Sequence, residues 1–197
     1  MYVLIACEFS GVVRDAFAAR GHEAFSCDLL PSEKPGNHIR GDVRTIMRYS
    51  YKWDLMIAHP PCTRLANSGV RWLHERNLWK ELKEAAEFYK ALRDLPIPKK
   101  AIENPIMHRY AKELILMGKR QIVQPWWFGE PALKATGLEL IGLPELKPTN
   151  KLTPPQPGTA EHKEWSKVHR ASPGPDRWKE RSRTFEGIAA AMAEQWG

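Results

Sequence analysis

The stretch Tyr2–Asp28, YVLIACEFSGVVRDAFAARGHEAFSCD, decides the fold of this chain. Tyr2–Ala6 is a continuous apolar run, which is typical of a central strand in a parallel sheet. A short turn then leads into a predicted helix over Val12–Arg20, which Gly21 ends. Glu23–Cys27 is a second strand, and the acid that closes the stretch follows it. This order of strand, turn, helix, strand and acid predicts the nucleotide-binding half of a doubly wound α/β sheet.

The same stretch offers two places where such a fold binds its ligand. Backbone amides at the start of the helix approach the ligand, and the acid after the second strand hydrogen-bonds ribose hydroxyls. Gly11 is the one glycine in the turn CEFSG, so the turn alone is weak evidence. Asp28 could either hydrogen-bond a ribose or cap a helix. Asp42 precedes a brief predicted helix and fits either a cap or an acceptor for an adenine amino group.

A second group of residues follows the strand predicted over Asp54–Ala58. The sequence His59-Pro60-Pro61-Cys62 comes directly after it, and the two prolines fix φ and remove two backbone donors. The cysteine is therefore held at a defined point beyond the carboxyl end of a strand, where open parallel sheets bind their ligands. A free thiol at that point is a candidate nucleophile. The alternative, a cysteine buried as a small apolar side chain, is also common.

The remainder of the chain predicts alternating helices and strands. Glu103 and Asn104 follow a strand over Lys100–Ile102, so an acid again stands at the carboxyl end of a strand. Val70–Leu95 is predicted to be one long amphipathic helix, whose aromatic stripe we assign to the core rather than to base stacking. The other predicted elements are a helix over Met107–Met117 ended by Gly118, strands over His38–Arg40, Gln121–Gln124 and Lys134–Ile141 with the last two paired as a hairpin, loop over Leu143–Ser182 with one helical turn near Glu161–Val168, and a closing helix over Ile188–Trp196.

The composition describes an ordinary chain with a basic surface. At 197 residues it suits a single domain with a full core, and no apolar run reaches membrane length. The net charge of +7 favours a polyanionic partner without proving one. Three cysteines, odd in number and far apart, argue against a disulfide framework and for a reducing, cytoplasmic compartment. No set of ligands with zinc-like spacing is visible, so no metal site is expected.

Taken together, these motifs resemble the S-adenosylmethionine-dependent cytosine-C5 methyltransferases of DNA, of the small kind common in bacteriophage genomes. The order and spacing of the motifs carry the resemblance, which runs across most of the chain. CEFSG resembles the first cofactor motif, CDLLP the second and GDVR the third. PPCTRLANSG resembles the catalytic loop PCQxFSxxG, ENP resembles ENV, FGEPALKATGLELIGL resembles the GVPQxRxRLFLVG region, and RTFEGIAAAMAEQWG resembles the closing helix.

The resemblance implies a Rossmann-like methyltransferase fold, α/β, with a mostly parallel sheet and a C-terminal β-hairpin. It implies that Cys62 is the nucleophile, which adds to C6 of cytosine, and that Glu103 is the acid partner, which bonds N3. The thiol would need a lowered pKa, for which Lys134 or Arg64 is a candidate nearby cation. The implied cofactor-binding residues are Phe9, Ser10, Gly11, Asp28, Leu29, Asp42, Val43 and Pro60, and the implied substrate-binding residues are Pro61, Asn104 and Lys134.

Departures from the family pattern leave two other interpretations open. Glu8 stands where the first motif usually has a glycine, which predicts a reshaped pocket at the methionine end of the cofactor. Two arginines of the family are replaced by Lys134 and Thr136. An amino-group methyltransferase uses a similar tetrapeptide, but it needs Asp, Asn or Ser before the prolines and an aromatic ring after them, where this chain has His59 and Cys62. The other alternative is a catalytically idle regulator that binds DNA or cofactor.

The resemblance makes DNA the expected partner, duplex or single-stranded, in the cytoplasm of a bacterial host if a phage encodes the chain. We expect residues 1–197 to form a single methyltransferase domain, with the Pro-rich basic region 143–182 in place of the family's target-recognition lobe and 185–197 as a closing helix. A homodimer or a second protein would then add specificity. The basic residues of that region fit either backbone contacts or a solvated loop, and they are Lys147, Lys151, Lys163, Lys167, Arg170, Arg177, Lys179 and Arg181.

Overall fold

The computed structural model describes residues 1–46, 52–118, 120–170, 174 and 177–197. Within these ranges seven strands form one sheet. The strands are β1 Tyr2–Ala6, β2 Glu23–Asp28, β3 His38–Arg40, β4 Leu55–Ala58, β5 Lys99–Pro105, β6 Arg120–Val123 and β7 Thr136–Ile141.

The sheet has the order β3-β2-β1-β4-β5-β7-β6. The first five strands are mutually parallel, and β7 lies antiparallel between β5 and β6. The strand order reverses beside β1, which is where open sheets of this type bind ligands. The insertion of one antiparallel strand near the end distinguishes the methyltransferase variant of the doubly wound fold. The fold class predicted from the sequence, including the β6–β7 hairpin, is therefore confirmed.

Helices cover both faces of the sheet, and no helix within the described ranges is long and apolar enough to cross a membrane. Because β1 is buried on both faces, its residues alternate between two cores and its sequence is continuously apolar. The helices are α1 Val12–Ala18, α2 Val43–Ile46, α3 Val70–Glu75, α4 Trp79–Arg93, α5 Arg109–Ile115, α6 Ala160–Trp165, α7 Lys167–Arg170, α8 Arg177–Ser182 and α9 Glu186–Trp196. Val3 and Ile5 pack with α1 and α9, whereas Leu4 and Ala6 pack with α4 and α5.

The single helix predicted over Val70–Leu95 is wrong, because α3 and α4 are separate helices. Asn77 lies between them with φ of 51°, a left-handed conformation that interrupts a right-handed helix and that asparagine tolerates better than most residues. Among the apolar positions of the predicted helix, Leu82 and Leu92 are buried but Trp72 is not. Trp72 is 37% exposed, so its assignment to the core is also wrong.

β5 extends three residues beyond the predicted strand. Glu103 and Asn104 therefore lie inside β5, paired with Leu138 and Gly137 of β7, rather than after its end. Successive side chains of a strand point to opposite faces. Glu103 consequently shares the face of the sheet that α1 and α9 cover, and Asn104 points to the face that α4 and α5 cover.

α5 is shorter than the predicted helix at both ends. His108 precedes it as the N-cap, and its Nδ1 accepts a hydrogen bond from the N–H of Ala111 at 3.1 Å. Leu116 ends the helix with φ of 51°, two residues before the glycine that the sequence suggested as the stop. Leu116 adopts this left-handed conformation with its side chain in solvent, 82% exposed.

The segment 143–182 contains more helix than the sequence predicted. Three short helices, α6, α7 and α8, lie where one helical turn was expected. Thr159 begins α6 by accepting the N–H of His162 on its hydroxyl, a standard N-cap interaction. Short helices without a strong apolar stripe have a weak periodic signal, which is why pattern analysis finds only one of them.

The closing helix is confirmed and begins at Glu186. Gly187 in its first turn lies against the chain at Phe128, and a Cβ there would approach the Phe128 carbonyl oxygen more closely than real Cβ atoms do.

Gly187→Ala should therefore lower the melting temperature, because a backbone clash of about 1–3 kcal/mol outweighs a helix-propensity gain of about 1 kcal/mol. Gly41→Ala is the control, since a Cβ there meets nothing within 4 Å. Equal melting temperatures for the two variants would contradict this packing.

Candidate active site

The carboxyl ends of β4 and β5 bring His59 and Glu103 together. The two strands are parallel with Ala58 opposite Ile102, so the next residue of each lies at the same level of the sheet. The His59 N–H donates to the carbonyl of Ala6, which continues the pairing with β1 by one residue. His59 Nδ1 then lies 3.3 Å from Glu103 Oε2. Both side chains are largely buried, with 8% and 18% exposure.

The environment of Glu103 stabilises its ionised form. Burial alone would raise the pKa of this carboxyl group. The hydrogen bond and electrostatic interaction with His59, together with the charges of Lys134 and Arg120, outweigh burial and hold the pKa of Glu103 below its ordinary value. The free protein thus carries a carboxylate at this position near neutral pH.

A small cavity opens beside Glu103 on the face that α9 covers. Lys134, Thr184 and Phe185 line it together with Glu103. The Lys134 ammonium donates to the carbonyl of Arg183 at 3.3 Å and lies 5.8 Å from the centre of the Phe185 ring. The segment before α9 therefore forms one wall of the cavity and holds the cation within it.

Cys62 lies in a tight turn directly after the two prolines. Its carbonyl accepts the N–H groups of Leu65 and Ala66, at 2.9 and 2.8 Å. Pro60 is buried, whereas Pro61 is exposed and the thiol is half-buried. This turn fixes the backbone that carries the sulfur, as the two prolines predict.

The expectation that Cys62 has a lowered pKa is wrong for the free protein. Burial raises the pKa of the thiol, and the negative charge of Glu103 raises it further. Lys134 and Arg181 act in the opposite direction without reversing the shift. Lys134 is therefore one of the cations that the sequence suggested, and Arg181 takes the place predicted for Arg64. Neutralising Glu103 would remove one of the two causes of the raised pKa.

The start of α5 anchors the turn after Cys62. His108 donates from Nε2 to the carbonyl of Arg64 at 2.8 Å, and its N–H bonds the carbonyl of Leu65. Since its Nδ1 accepts from α5, both ring nitrogens of this buried histidine are used. The N–H of Asn67 bonds the carbonyl of Ile106 in the same region. The loop carrying the thiol and α5 thus form one connected unit.

Arg120 links three strands behind the site. Its Nη2 donates to the carbonyls of Asn104 on β5 and Gly137 on β7, at 2.7 and 3.0 Å. Gly137 has no side chain, which allows the guanidinium to lie directly over its backbone. The side-chain amide of Asn104 is fully buried, and neither of its polar atoms has a hydrogen-bond partner among the described residues. Asn104 is thus placed beside Glu103 along the chain but on the opposite face.

The turn after β1 is filled by the protein's own carboxylate. Glu8 is 5% exposed, and its Oε1 accepts the Val13 N–H at 2.7 Å while Oε2 accepts the Arg14 N–H at 3.3 Å. The Ser10 hydroxyl accepts the Val12 N–H. The first amides of α1 are therefore already bonded, and the departure of Glu8 from the family pattern has a structural cause.

The acids predicted to bind cofactor converge beside β1. Asp28 is the last residue of β2 and accepts the Leu30 N–H at 2.9 Å. Asp42 accepts the Arg44 N–H and forms an ion pair with the Arg44 side chain, which is the capping role left open from the sequence. After burial, the charges of Asp28 and Asp42 are among the causes that raise the pKa of Cys7. Of the other predicted cofactor residues, Phe9, Ser10, Gly11 and Val43 are buried and Leu29 is 69% exposed.

Comparisons with known proteins do not assign this chain to a family. No protein-family model matches this chain, and no curated protein matches it. One similar solved structure is a prophage-encoded protein from E. coli with the provisional description of a DNA modification methyltransferase. It has 16% sequence identity and a TM-score of 0.46, over 77% of this chain and 52% of that chain. This chain therefore spans about half the length of that protein.

The structure thus brings Cys62, Glu103 and Lys134 into one electrostatic environment. The sequence analysis missed His59 as a partner of Glu103, since His59 was considered only as a departure from the amino-group methyltransferase motif. The position of His59 in the sequence was the available signal. His59 directly follows one strand, and Glu103 was expected to follow the next. Parallel pairing of the two strands then places the two residues side by side. Arg120 gave no comparable signal, because its role depends on β7 being inserted between β5 and β6.

Proposed function

We propose that this chain transfers a methyl group from S-adenosylmethionine to C5 of cytosine in DNA. The observation that carries the proposal is the pairing of a nucleophile with an acid at adjacent strand ends. The charge of Glu103 acts on Cys62, and the charge of Lys134 acts on both residues. The motif order described above supports the same chemistry. Residues 1–197 would act as a single unit, with region 143–182 replacing a recognition lobe.

The residues beside β1 fit S-adenosylmethionine at its adenosine end. Asp28 ends β2, where an acid can bond ribose hydroxyls, and the buried turn over Phe9, Ser10 and Gly11 lies beside it. Leu29 and Val43 would contact adenine. Glu8 occupies the first amides of α1, so the carboxylate of the methionine end must be held by other groups. Asp42 would continue to cap α2. Adenine could then donate only to those carboxylate lone pairs that Arg44 does not use.

In the proposed reaction Cys62 makes cytosine C5 nucleophilic. The thiolate bonds C6, and the electrons of the C5–C6 double bond move through the ring toward N3. A proton at N3 stabilises that charge, and Glu103 would hold it there, with His59 sharing it across the 3.3 Å contact. S-adenosylmethionine, when bound, supplies the electrophilic methyl group that C5 accepts. Loss of the C5 proton to water restores the double bond and expels the thiolate.

The charge of Glu103 connects the acid with the thiol. Because this charge raises the pKa of Cys62, a proton shared with Glu103 and N3 would make the thiol easier to ionise. Lys134 would stabilise the thiolate once the carboxylate is neutralised. Binding of cytosine at Glu103 would therefore prepare the nucleophile, and an empty site would keep it protonated and unreactive.

An amino-group methyltransferase is the second candidate, and the raised pKa of Cys62 is the observation that favours it. Such an enzyme needs no thiolate. It needs an acceptor for the target amine near the prolines, and His59 or Glu103 would have to serve.

The test is methyl transfer with product identification. Tritiated S-adenosylmethionine is supplied with duplex DNA, single-stranded DNA or free dCMP, and the nucleosides are separated. We expect 5-methylcytosine from DNA. A methyl group on an exocyclic nitrogen would replace this proposal with amino transfer, and transfer to dCMP alone would make the substrate a free nucleotide. Cofactor binding without transfer to any of the three would favour the regulator.

A further inference from the structure

A cluster of exposed aromatic rings and arginines lies on the face of the sheet opposite α1 and α9. It belongs to α3, the start of α4 and the start of α5, which pack on that face through Leu73, Leu82 and Ala111. Trp72 and Trp79 are each 37% exposed. We call this cluster the aromatic–arginine patch, and its members are Arg71, Trp72, His74, Arg76, Trp79, Arg109 and Tyr110.

Three rings of the patch hold one another in edge-to-face contacts. His74 lies 5.1 Å from Trp79 and 5.4 Å from Tyr110, and Trp79 lies 5.2 Å from Tyr110, measured between ring centres. Edge-to-face pairs at these distances are favourable and fix ring orientation. The surface is therefore built by three helices together and does not consist of isolated exposed side chains.

Cations cover two rings of the patch, Trp72 and Tyr110. The guanidinium groups of Arg71 and Arg76 each lie 4.3 Å from the centre of the Trp72 ring, and that of Arg109 lies 4.6 Å from the Tyr110 ring. One acid, Glu75, forms an ion pair with Arg71. The three arginines leave the patch with an excess of positive charge.

The patch is continuous with the loop that carries Cys62. α3 follows that loop in the sequence after one short turn at 67–69. α5 is bonded to the loop through His108, the residue before Arg109. A ligand on the patch would thus contact the two helices that adjoin the loop carrying the thiol.

We propose that the aromatic–arginine patch binds single-stranded DNA: Arg71 and Arg76 leave the Trp72 ring to contact phosphates, and bases stack on Trp72 and Trp79. Proteins that bind single strands combine exposed aromatic rings with basic groups in this way, and guanidinium planes also stack on bases. A duplex hides its base faces within the stack, so exposed rings favour unpaired bases. The choice of DNA rests on the proposed function, whose substrate is cytosine in DNA.

The patch would also compensate for the small size of region 143–182, which stands in place of the family's recognition lobe. Base flipping from a duplex costs a few kcal/mol, and a single strand avoids most of that cost. The cavity beside Glu103 lies on the other face of the sheet, so a strand held on the patch would reach it around the carboxyl edge of the sheet. The patch would hold that strand without extensive groove contacts. The patch, more than region 143–182, would then provide affinity.

The test is fluorescence anisotropy with a labelled oligothymidine of about 12 nucleotides, within the usual site size of such surfaces. Trp72→Ala and Trp79→Ala should each weaken binding about tenfold, and Trp72→Phe should restore most of the affinity. Arg76→Gln should reduce the salt slope by about 0.7, the value for one phosphate contact on a single strand. Arg20→Gln on the opposite face should change neither quantity, and melting temperatures report whether each variant is folded.

Unchanged affinity in Trp72→Ala, or an equal loss in Arg20→Gln, would overturn the proposal. So would tighter binding of the matching RNA or duplex, or a patch variant that dissociates a homodimer without affecting DNA. Binding is measured without cofactor, so failure of methyl transfer does not alter this result. Conversely, a patch variant that no longer binds DNA should still bind S-adenosylhomocysteine in calorimetry, so loss of DNA binding does not test the cofactor site.

Discussion

Cys62→Ser is expected to abolish covalent capture of DNA that contains 5-fluorocytosine. In the proposed reaction the fluorine at C5 cannot leave as a proton, so the adduct formed by the wild-type thiol persists after methyl transfer. A serine hydroxyl is hardly ionised at neutral pH and adds to C6 far more slowly. Turnover on ordinary cytosine should fall by about a thousandfold or more, as is common when a covalent nucleophile is removed. Denaturing electrophoresis of the protein–DNA adduct measures capture.

Cys27→Ser is the matched control for this experiment. Cys27 is fully buried at the end of β2, and its Sγ donates to the Gly41 carbonyl at 3.4 Å, a bond that a hydroxyl can keep. The variant makes the same change of atom without touching the Cys62 turn, so it should still be captured. Undiminished methyl transfer by Cys62→Ala would end the C5 proposal, and the amino-transfer candidate would take its place.

The elements that the sequence predicts well are those in which burial sets the pattern. β1 is apolar at every position because both faces of the sheet are covered, so the run predicts its own environment. β5 was predicted too short because Glu103 and Asn104 are polar. Its extension depends on β7, which pairs with both residues from 33 or more positions further along the chain. A local pattern contains no information about such a partner.

The candidate site divides in the same way. Cys62 and Glu103 could be identified because each stands near the end of an apolar strand. The sign of the Cys62 pKa shift could not be obtained from the sequence, since burial and the charge of Glu103 oppose Lys134 and their balance is set by distance. The break at Asn77 was missed for another reason. The helical spacing of apolar residues continues across Asn77, so the sequence does not show the break. In the structure the Trp72 ring of α3 is exposed.

Removing His59 is expected to shift the pH dependence of methyl transfer rather than only its rate. In the wild-type protein the hydrogen bond and electrostatic interaction with His59 help to hold the pKa of Glu103 low. In His59→Ala burial is opposed only by Lys134 and Arg120, so the pKa of Glu103 rises. In the proposed reaction protonated Glu103 bonds N3, so transfer falls as pH rises through the pKa of this residue. Because that pKa is higher in the variant, the falling limb and the optimum of kcat/KM should move to higher pH.

Glu103→Gln separates this proton-holding role from simple support of the loop. A glutamine keeps the size of the side chain but cannot exchange a proton with His59, so transfer should fall by about 10²–10⁴-fold at every pH. It also removes the charge that raises the pKa of Cys62, so alkylation of this thiol by iodoacetamide should become faster while turnover falls. A purely structural role for Glu103 would lower both rates together. A His59→Ala profile parallel to that of the wild-type protein would limit His59 to packing.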